Sequence, residues 1–267
     1  MSQVVLITGA SSGLGKAIAA YLSTRDFVVY GTSRKPKAEQ VDGYRMIALD
    51  VLNKDSISKA VNLVVEKEGR LDILINNAGM GITGPIEDTP TDEMRRVFET
   101  NFFGAVDVIK AVLPQMRSQK AGLVINVTSI AGYMGLPYRG VYSATKSAFA
   151  MVTESLGMEV KEFGIDVVSV APGDFATNIA AGRFHTPVFE DSAYKEKYQL
   201  NLDLMDAHVD SGMNPDVLAQ KVFSIIRSKN RKVHYKVGGF MEKFSIVLKR
   251  VLPDRVYEKL LMNHYKL

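Results

Sequence analysis

The chain has 267 residues, of which 46% are hydrophobic and 23% charged, as is typical of a soluble globular protein with one large core. It contains no cysteine, which excludes disulfide bonds and thiol catalysis and is compatible with a reducing, cytoplasmic location. The sequence shows neither an apolar run of about 20 residues that could span a bilayer nor a secretory signal pattern.

The net charge of +4 is distributed unevenly along the chain. Residues 227–267 contain eleven Lys or Arg and three Asp or Glu, so this tail carries +8 and the preceding residues carry −4. A basic tail indicates a membrane surface or another anionic partner. Because no nucleic-acid-binding motif accompanies the charge, we expect no nucleic acid partner.

The N-terminal segment predicts a strand, a glycine turn and a helix in direct succession. Residues 3–8 are typical of a buried parallel strand, and residues 16–22 follow a helical pattern. Glycines allow a backbone to approach a pyrophosphate, and a helix N-terminus offers unpaired N–H groups and a positive dipole end. The segment therefore predicts a phosphate site, although such turns also simply cap helices. The residues of the turn are Gly9, Ala10, Ser11, Ser12, Gly13, Leu14 and Gly15.

The second predicted strand, residues 27–32, is followed by Ser33, Arg34 and Lys35. In dinucleotide-binding folds, an acidic residue near this point binds a ribose 2′-hydroxyl, whereas a basic residue accommodates a 2′-phosphate. Because no carboxylate is present here, Arg34, supported by Ser33, favours NADP(H), with NAD(H) as the alternative. The two cations could instead be solvated charges of a loop.

Later strands alternate with helices. Strands are predicted at residues 45–49, 71–75, 123–127, 165–170 and 232–237, and helices at residues 53–68, 91–114, 142–163 and 215–228. This order predicts an α/β fold with a doubly wound, parallel, seven-stranded sheet that binds its ligand at the carboxyl ends of the strands. Candidate site residues follow those ends, namely Asp50, Val51, Asn76, Asn77, Ala78, Gly79 and Ser129. Asp50 either contacts an adenine or only supports the turn before the next helix.

Two regions lie outside this alternation. Residues 178–211 show little periodicity, and we expect a long irregular connection that acts as a lid. Its aromatic residues, with residues 81–82 and 133–137, are expected to line an apolar pocket for a lipophilic substrate. After a catalytic domain over residues 1–238, residues 239–267 are expected to form a basic helical extension. Its helices either pack on the core or on a second subunit, or lie on anionic lipid.

Tyr142 and Lys146 are four residues apart in a predicted helix, so their side chains share one face. A free tyrosine has a pKa of about 10 and a free lysine about 10.4. We expect the neighbouring positive charge to lower the pKa of Tyr142, so that the phenol can transfer a proton near neutral pH. The pair alone is a weak signal. The four histidines lie apart from one another and from candidate nucleophiles, so neither a metal site nor a Ser-His-Asp triad is predicted.

Together, these motifs resemble those of the short-chain dehydrogenase/reductase family over residues 3–237. Residues 8–15 match the TGxxxGxG turn, residues 76–79 the NNAG element, and residues 142–146 the YxxxK motif. The resemblance implies a Rossmann fold and an NAD(P)-dependent oxidoreductase that interconverts a carbonyl and a secondary alcohol, as a homodimer or homotetramer. The basic tail resembles those of relatives that act on steroids, retinoids or long-chain keto lipids. A non-catalytic dinucleotide sensor or scaffold on the same fold is the alternative.

The resemblance also implies roles for individual residues. Tyr142 would act as general acid in reduction and as base in oxidation, while Lys146 would lower its pKa and hold the nicotinamide ribose. Ser129 would bind the substrate oxygen, and Asn101 would keep a water in a proton relay to Lys146. The residues expected to hold the nicotinamide are Pro172, Gly173 and Thr177.

Overall fold

The computed structural model describes residues 2–177, 182–210 and 212–267. Their strands are β1 (Gln3–Ile7), β2 (Phe27–Ser33), β3 (Gln40–Val41), β4 (Tyr44–Ala48), β5 (Ile73–Asn76), β6 (Ile82–Thr83), β7 (Gly122–Val127), β8 (Ile165–Pro172), β9 (Phe184–His185) and β10 (His234–Val237). One sheet has the order β10-β8-β7-β5-β1-β2-β4-β3, and β6 pairs with β9 in a small separate sheet. Within the large sheet, only the β3–β4 pair is antiparallel among the described residues.

The helices in these residues are α1 (Gly13–Ser23), α2 (Lys54–Glu68), α3 (Thr91–Phe98), α4 (Gly104–Gln119), α5 (Gly140–Glu159), α6 (Lys195–Asp210), α7 (Pro215–Arg227), α8 (Phe240–Val251) and α9 (Asp254–His264). A π-helical segment, Glu99–Phe103, joins α3 to α4. Short 3₁₀ turns occupy Ile130–Tyr133 and Lys161–Phe163. Across the described residues, none of the helices has both the length and the apolar character needed to cross a membrane.

The large sheet is buried on both faces because its central strands are apolar at successive positions. In β1, Val5 and Ile7 pack into one core with α1 and α7, while Val4 and Leu6 pack into a second core with α2 and α4. Alternate side chains of a strand point to opposite faces, which explains why an unbroken apolar run marks a central strand. The strand order reverses between β1 and β5, so a crevice opens at their carboxyl ends.

The predicted doubly wound parallel sheet is confirmed, with one added strand and one change to a predicted helix. The seven predicted strands correspond to β1, β2, β4, β5, β7, β8 and β10. The added strand β3 forms an antiparallel edge hairpin with β4 through Asp42 and Gly43, which have φ angles of 45° and 85°. The single helix predicted over residues 91–114 is interrupted by the π segment and extends to Gln119.

The prediction of an irregular connection over residues 178–211 is wrong for residues 195–210, which form α6. Tyr198, Asn201 and Met205 are buried and follow the helical spacing i, i+3, i+7. Because the middle residue is polar, with its Nδ2 donating to the Lys197 carbonyl, apolar periodicity alone does not reveal this face. Positions 178–181 and 211 of the predicted connection lie outside the described residues.

Helices α8 and α9 pack on their own chain through one side. Ile246 and Tyr257 are buried against Ile130, Met134 and Ala171, which belong to the segment after β7 and to the end of β8. The C-terminal extension, residues 239–267, therefore lies against the same strand ends that carry the candidate site.

Candidate active site

The glycine turn between β1 and α1 leaves no room for side chains at two positions. A Cβ atom built on Gly15 would lie 2.3 Å from the Gly9 carbonyl oxygen, and one built on Gly9 would lie 2.9 Å from the Ala78 Cα. Gly9 and Gly13 also have φ angles of 67° and 55°, in the left-handed region that favours glycine. The turn therefore brings the backbone against the end of β5.

The N-terminus of α1 is free to bind an anion. Ser12 precedes the helix in an extended conformation, its side chain makes no capping hydrogen bond among the described residues, and the first turn contains no acidic residue. The unpaired N–H groups and the dipole of α1 then face the turn. Ser11 is exposed beside Ser12, whereas Leu14 packs on the core. This arrangement fits the pyrophosphate of a dinucleotide.

Hydrogen bonds fix the glycine turn to the end of β5. Thr8 Oγ1 accepts hydrogen bonds from the Asn77 and Ala78 backbone N–H groups, each at 3.0 Å. Asn77 Nδ2 donates to the Thr8 and Gly9 carbonyl oxygens, also at 3.0 Å. Asn76 Nδ2 instead faces inward and donates to Ala105 O and Asn126 Oδ1.

A cleft of about 880 Å³ opens beside this turn, at the ends of β2 and β4. Its volume is within the range of roughly 300–1,000 Å³ that is common for small-ligand sites. Ser33 Oγ is buried and has no hydrogen-bond partner within the described residues. The cleft is lined by Ser11, Ser33, Arg34, Lys35, Lys37, Ala38, Val41, Tyr44, Met46 and Asp50.

Asp50 and Val51 lie after β4, where the sequence predicted them. Asp50 lines the cleft, and its Oδ1 accepts a hydrogen bond from the Leu52 N–H at 3.0 Å, so it also supports the turn before α2. Val51 packs against α4, because a Cβ atom on Gly104 would lie 2.7 Å from the Val51 carbonyl oxygen.

Helix α5 carries Tyr142 and Lys146 on one face, with Lys146 Nζ 5.8 Å from the centre of the tyrosine ring. Nζ donates to the Val127 carbonyl oxygen at 3.1 Å, which joins α5 to the end of β7. Ser129 follows that strand, and its hydroxyl lies close enough to the Tyr142 phenol to lower the pKa of the phenol. Ser129 Oγ also accepts from the Ala131 N–H at 3.1 Å, so the turn after β7 orients the serine.

Asn101 lies in the π segment, directly against the other catalytic candidates. Its Oδ1 accepts from the Met80 N–H at 2.8 Å, and its Nδ2 donates to Met80 O and to Thr145 Oγ1. A Cβ atom on Gly79 would lie 3.1 Å from Asn101 Oδ1 and 3.6 Å from Lys146 Nζ. Gly79 therefore allows these two side chains to approach one another, and π turns within helices frequently mark functional sites.

The pKa directions differ from the sequence prediction for Tyr142. Burial raises the pKa of the phenol above its ordinary value, and the hydrogen bond with Ser129 and the charges of Arg139 and Arg183 only partly oppose this. Burial also lowers the pKa of Lys146 to about 8. The expected lowering of the tyrosine pKa by Lys146 is thus wrong for the cofactor-free protein, because desolvation of the buried phenol is the larger effect.

The nicotinamide-binding candidates lie at the end of β8. Pro172 ends this strand, and the Gly173 N–H donates to the Val237 carbonyl oxygen at 2.8 Å. Thr177 reaches back to the glycine turn, since a Cβ atom on Gly13 would lie 3.5 Å from the Thr177 Cβ. The structure thus gathers the predicted residues of β1, β5, β7, β8 and α5 around one crevice, while Ser33 and Arg34 lie at its far end.

The sequence prediction missed residues that support this crevice. Thr145 Oγ1 accepts a hydrogen bond from the candidate Asn101, but an isolated threonine gives no recognisable sequence signal. Glu242 is the third residue of α8, where a glutamate can accept from the N–H of the residue that precedes the helix, and its carboxylate binds both the Gly239 N–H and the Asp174 N–H.

The fold and the site together define a dinucleotide-binding oxidoreductase. A family model described as short chain dehydrogenase matches residues 3–187. The chain is 40% identical over 264 residues to a 3-ketodihydrosphingosine reductase of Bacteroides thetaiotaomicron, with 98% of each chain covered.

Two solved structures are also similar. A short-chain dehydrogenase from Streptomyces avermitilis is 30% identical, with a TM-score of 0.83 and coverage of 100% of this chain and 96% of that one. ElxO with NADP bound is 26% identical, with a TM-score of 0.72 and coverage of 89% and 96%. The protein belongs to the short-chain dehydrogenase/reductase family, and it is an NAD(P)-dependent oxidoreductase that acts on keto or alcohol groups.

Proposed function

We propose that the protein reduces the ketone of a long-chain lipid with NADPH, and that the substrate is a 3-keto long-chain base such as 3-ketodihydrosphingosine. The observation that carries the chemistry is the Tyr142 phenol, partly buried beside Lys146 and close to the Ser129 hydroxyl at the crevice of the sheet. The substrate class is supported by the relative of that name, which matches 98% of this chain.

The residues present fit NADP(H). The glycine turn and the N-terminus of α1 are suited to the pyrophosphate, and Ser33 and Arg34 are suited to a 2′-phosphate in the cleft. Of the charged residues that line this cleft, Arg34, Lys35 and Lys37 are cationic and only Asp50 is anionic. Asn77, Ala78 and Gly79 line the middle of the crevice, and Pro172, Gly173 and Thr177 are suited to hold the nicotinamide. When bound, the cofactor supplies the hydride.

The side chains of the site supply the proton and orient the ketone. The raised pKa keeps the Tyr142 phenol protonated at neutral pH, which is the state needed to donate a proton to a ketone oxygen. The Ser129 hydroxyl lies close enough to the phenol to lower its pKa, so both groups can contact the same substrate oxygen. Lys146 Nζ donates to Val127 O, and Asn101 Oδ1 accepts from the Met80 N–H, so these two side chains are held in place at the site.

The proposal is tested by NADPH oxidation with a panel of ketones. We expect the highest kcat/KM for a 3-keto long-chain base, and much lower values for ketosteroids and small water-soluble ketones. An anionic 3-keto lipid belongs in the panel, because Arg139 and Arg183 lower the pKa of Tyr142 and thus place positive charge near the phenol. Equal turnover of small and long-chain ketones would contradict the proposed substrate class.

The same assay tests the cofactor through Arg34→Ala. Charge-assisted hydrogen bonds contribute about 1.5–3 kcal/mol, so we expect kcat/KM for NADPH to fall by roughly tenfold to a hundredfold. The value for NADH should change little, because NADH lacks the 2′-phosphate. Arg95→Ala is the control, since Arg95 is an exposed arginine of α3 paired with Asp92. A wild-type protein that prefers NADH would contradict this part of the proposal.

We propose further that the outer face of α8 lies on anionic lipid. Phe240, Phe244, Val247 and Val251 follow the spacing i, i+4, i+7, i+11 and are all exposed, Phe240 by 74% and Val251 by 68%. Buried Ile246 lies on the opposite, inner side of the helix. Lys243 and Arg250 flank the apolar stripe, and their charges are complementary to an anionic membrane surface. The family resemblance implies a homodimer or homotetramer through the long helices.

Vesicle co-sedimentation tests the lipid contact. We expect wild-type protein to bind phosphatidylglycerol vesicles, to bind phosphatidylcholine vesicles weakly, and to lose most binding as the double variant Phe240→Ser, Phe244→Ser. Phe189→Ser, which removes another exposed aromatic residue, is the control. Unchanged sedimentation, or a change in oligomeric state by light scattering instead, would contradict the proposal, the latter by making this face a subunit interface.

A further inference from the structure

The Glu242 carboxylate joins two strand ends. Its Oε1 accepts a hydrogen bond from the Asp174 N–H at 2.6 Å, directly after β8. Its Oε2 accepts from the Gly239 N–H at 2.5 Å, directly after β10. A carboxylate that accepts two backbone N–H groups holds both segments at a fixed separation, and each bond to an ionised acceptor is stronger than a neutral one.

The backbone around this carboxylate leaves space for it and for nothing else. A Cβ atom built on Gly173 would lie 2.2 Å from Glu242 Oε1, and one built on Gly238 would lie 2.6 Å from Oε2. Both glycines are therefore needed for the carboxylate to rest against the chain. The contact is specific to this geometry and is not a surface ion pair.

The segment that Glu242 holds is the one suited to the nicotinamide. Asp174 follows Gly173 immediately, and its carbonyl oxygen accepts from the Met213 N–H at 3.0 Å. The same segment continues to Thr177 beside the glycine turn. The position of this backbone therefore depends on Glu242 on one side and on Met213 on the other.

Two more residues of the C-terminal extension contact segments that border Tyr142. The buried Tyr257 hydroxyl donates to Met134 Sδ at 2.8 Å, in the segment that follows Ser129. Arg139 Nη2, three residues before Tyr142, donates to the Tyr265 hydroxyl at 2.6 Å. The extension thus contacts the nicotinamide segment, the serine segment and the start of α5.

We propose that Glu242 is a positioning residue for the nicotinamide half of NADP(H), through which the C-terminal extension sets the geometry of hydride transfer. The inference rests on the proposed use of NADP(H). The adenosine half is bound elsewhere, by Ser33 and Arg34 at the ends of β2 and β4, so Glu242 acts on one half of the cofactor only.

The test compares two ligands in the Glu242→Gln variant. The amide of the variant turns an N–H group toward one of the two backbone donors, so it can satisfy only one of them. We expect NADPH to bind about tenfold more weakly, and the ADP-ribose 2′-phosphate fragment, which lacks nicotinamide, to bind within twofold of wild type by calorimetry. With a saturating cofactor, kcat should fall while the KM for the ketone changes less.

Glu258→Gln is the matched control, because Glu258 lies in the same extension and only pairs with exposed Arg255. Unchanged NADPH affinity in Glu242→Gln would overturn the inference. Equal weakening of NADPH and of the fragment would also overturn it, because the residue would then only stabilise the fold. A wild-type protein that binds neither ligand would instead contradict the proposed function.

Discussion

Replacing Tyr142 by Phe should reduce the rate of ketone reduction by about 10²–10⁴-fold, the usual contribution of a positioned general acid. The substitution removes only the hydroxyl that Ser129 contacts, and the ring of Tyr142 stays beside Lys146. The measurement is kcat for NADPH oxidation with the preferred ketone from the panel. NADPH affinity should change by a few-fold at most, because the glycine turn and the cleft are untouched.

The control for this experiment is Tyr21→Phe. Tyr21 lies in α1 with Arg25 stacked on its ring, and the loss of its hydroxyl leaves that stacking in place. We expect wild-type turnover from this variant. If Tyr142→Phe retained most of its turnover, the phenol could not be the proton donor, and another acid near Ser129 would have to be sought.

The burial of Tyr142 also gives a direction to the pH dependence. A raised pKa keeps the phenol protonated to higher pH than a free tyrosine, so the decline of the reduction rate at alkaline pH should lie above the range that a lysine-lowered phenol would give. The raised pKa of Tyr142 is a property of the folded site. A spacing of four residues shows that two side chains are neighbours, but the amount of water removed from them depends on the segments of β7 and the C-terminal extension that pack around α5.

The backbone of the site was predictable for a physical reason. Strands buried on two faces must be apolar at consecutive positions, and a tight approach of backbones requires glycine, as Gly9 and Gly15 show. Both constraints act on residues that are close together in the sequence, so a short segment is enough to show them. The contacts of Glu242 with Asp174 and of Arg139 with Tyr265 join positions 68 and 126 residues apart, and no local pattern specifies them.

Helix α6 was missed by the sequence prediction for a different reason. Over residues 195–205, the buried residues of this helix are Tyr198, Asn201 and Met205, so one of these three is polar, and its Nδ2 donates within the helix. A search for apolar periodicity therefore finds too few positions. The Nδ2 group of this buried amide is paired, whereas its Oδ1 has no hydrogen-bond partner among the described residues, and the fold still accommodates a residue that the sequence pattern counts as exposed.

Lys146 is expected to destabilise the cofactor-free protein at neutral pH. Its side chain is only 5% exposed, and burial lowers its pKa to about 8, whereas a lysine of an unfolded chain has a pKa of about 10.4. Between these values the unfolded state binds more protons than the folded state, so the free energy of unfolding rises with pH across this window. Below pH 8 both states are protonated, and the folded state bears the full cost, about 3 kcal/mol at 1.36 kcal/mol per pKa unit.

Lys146→Met should abolish turnover, because the family resemblance implies that Lys146 holds the nicotinamide ribose. It should also raise the free energy of unfolding at pH 7 by about 2 kcal/mol, after loss of roughly 1 kcal/mol for the hydrogen bond to Val127. Urea unfolding of both cofactor-free proteins between pH 7 and 10.5 measures the free energy of unfolding. The difference in this free energy between variant and wild type should shrink as pH rises, because all titrating groups other than Lys146 are common to both proteins. Exposed Lys229→Met should show no such trend. A difference that stays constant with pH would mean that the buried ammonium carries no such cost. A difference that shrinks would show that the buried cation beside Tyr142 lowers the stability of the fold, as expected of a residue whose role is catalytic.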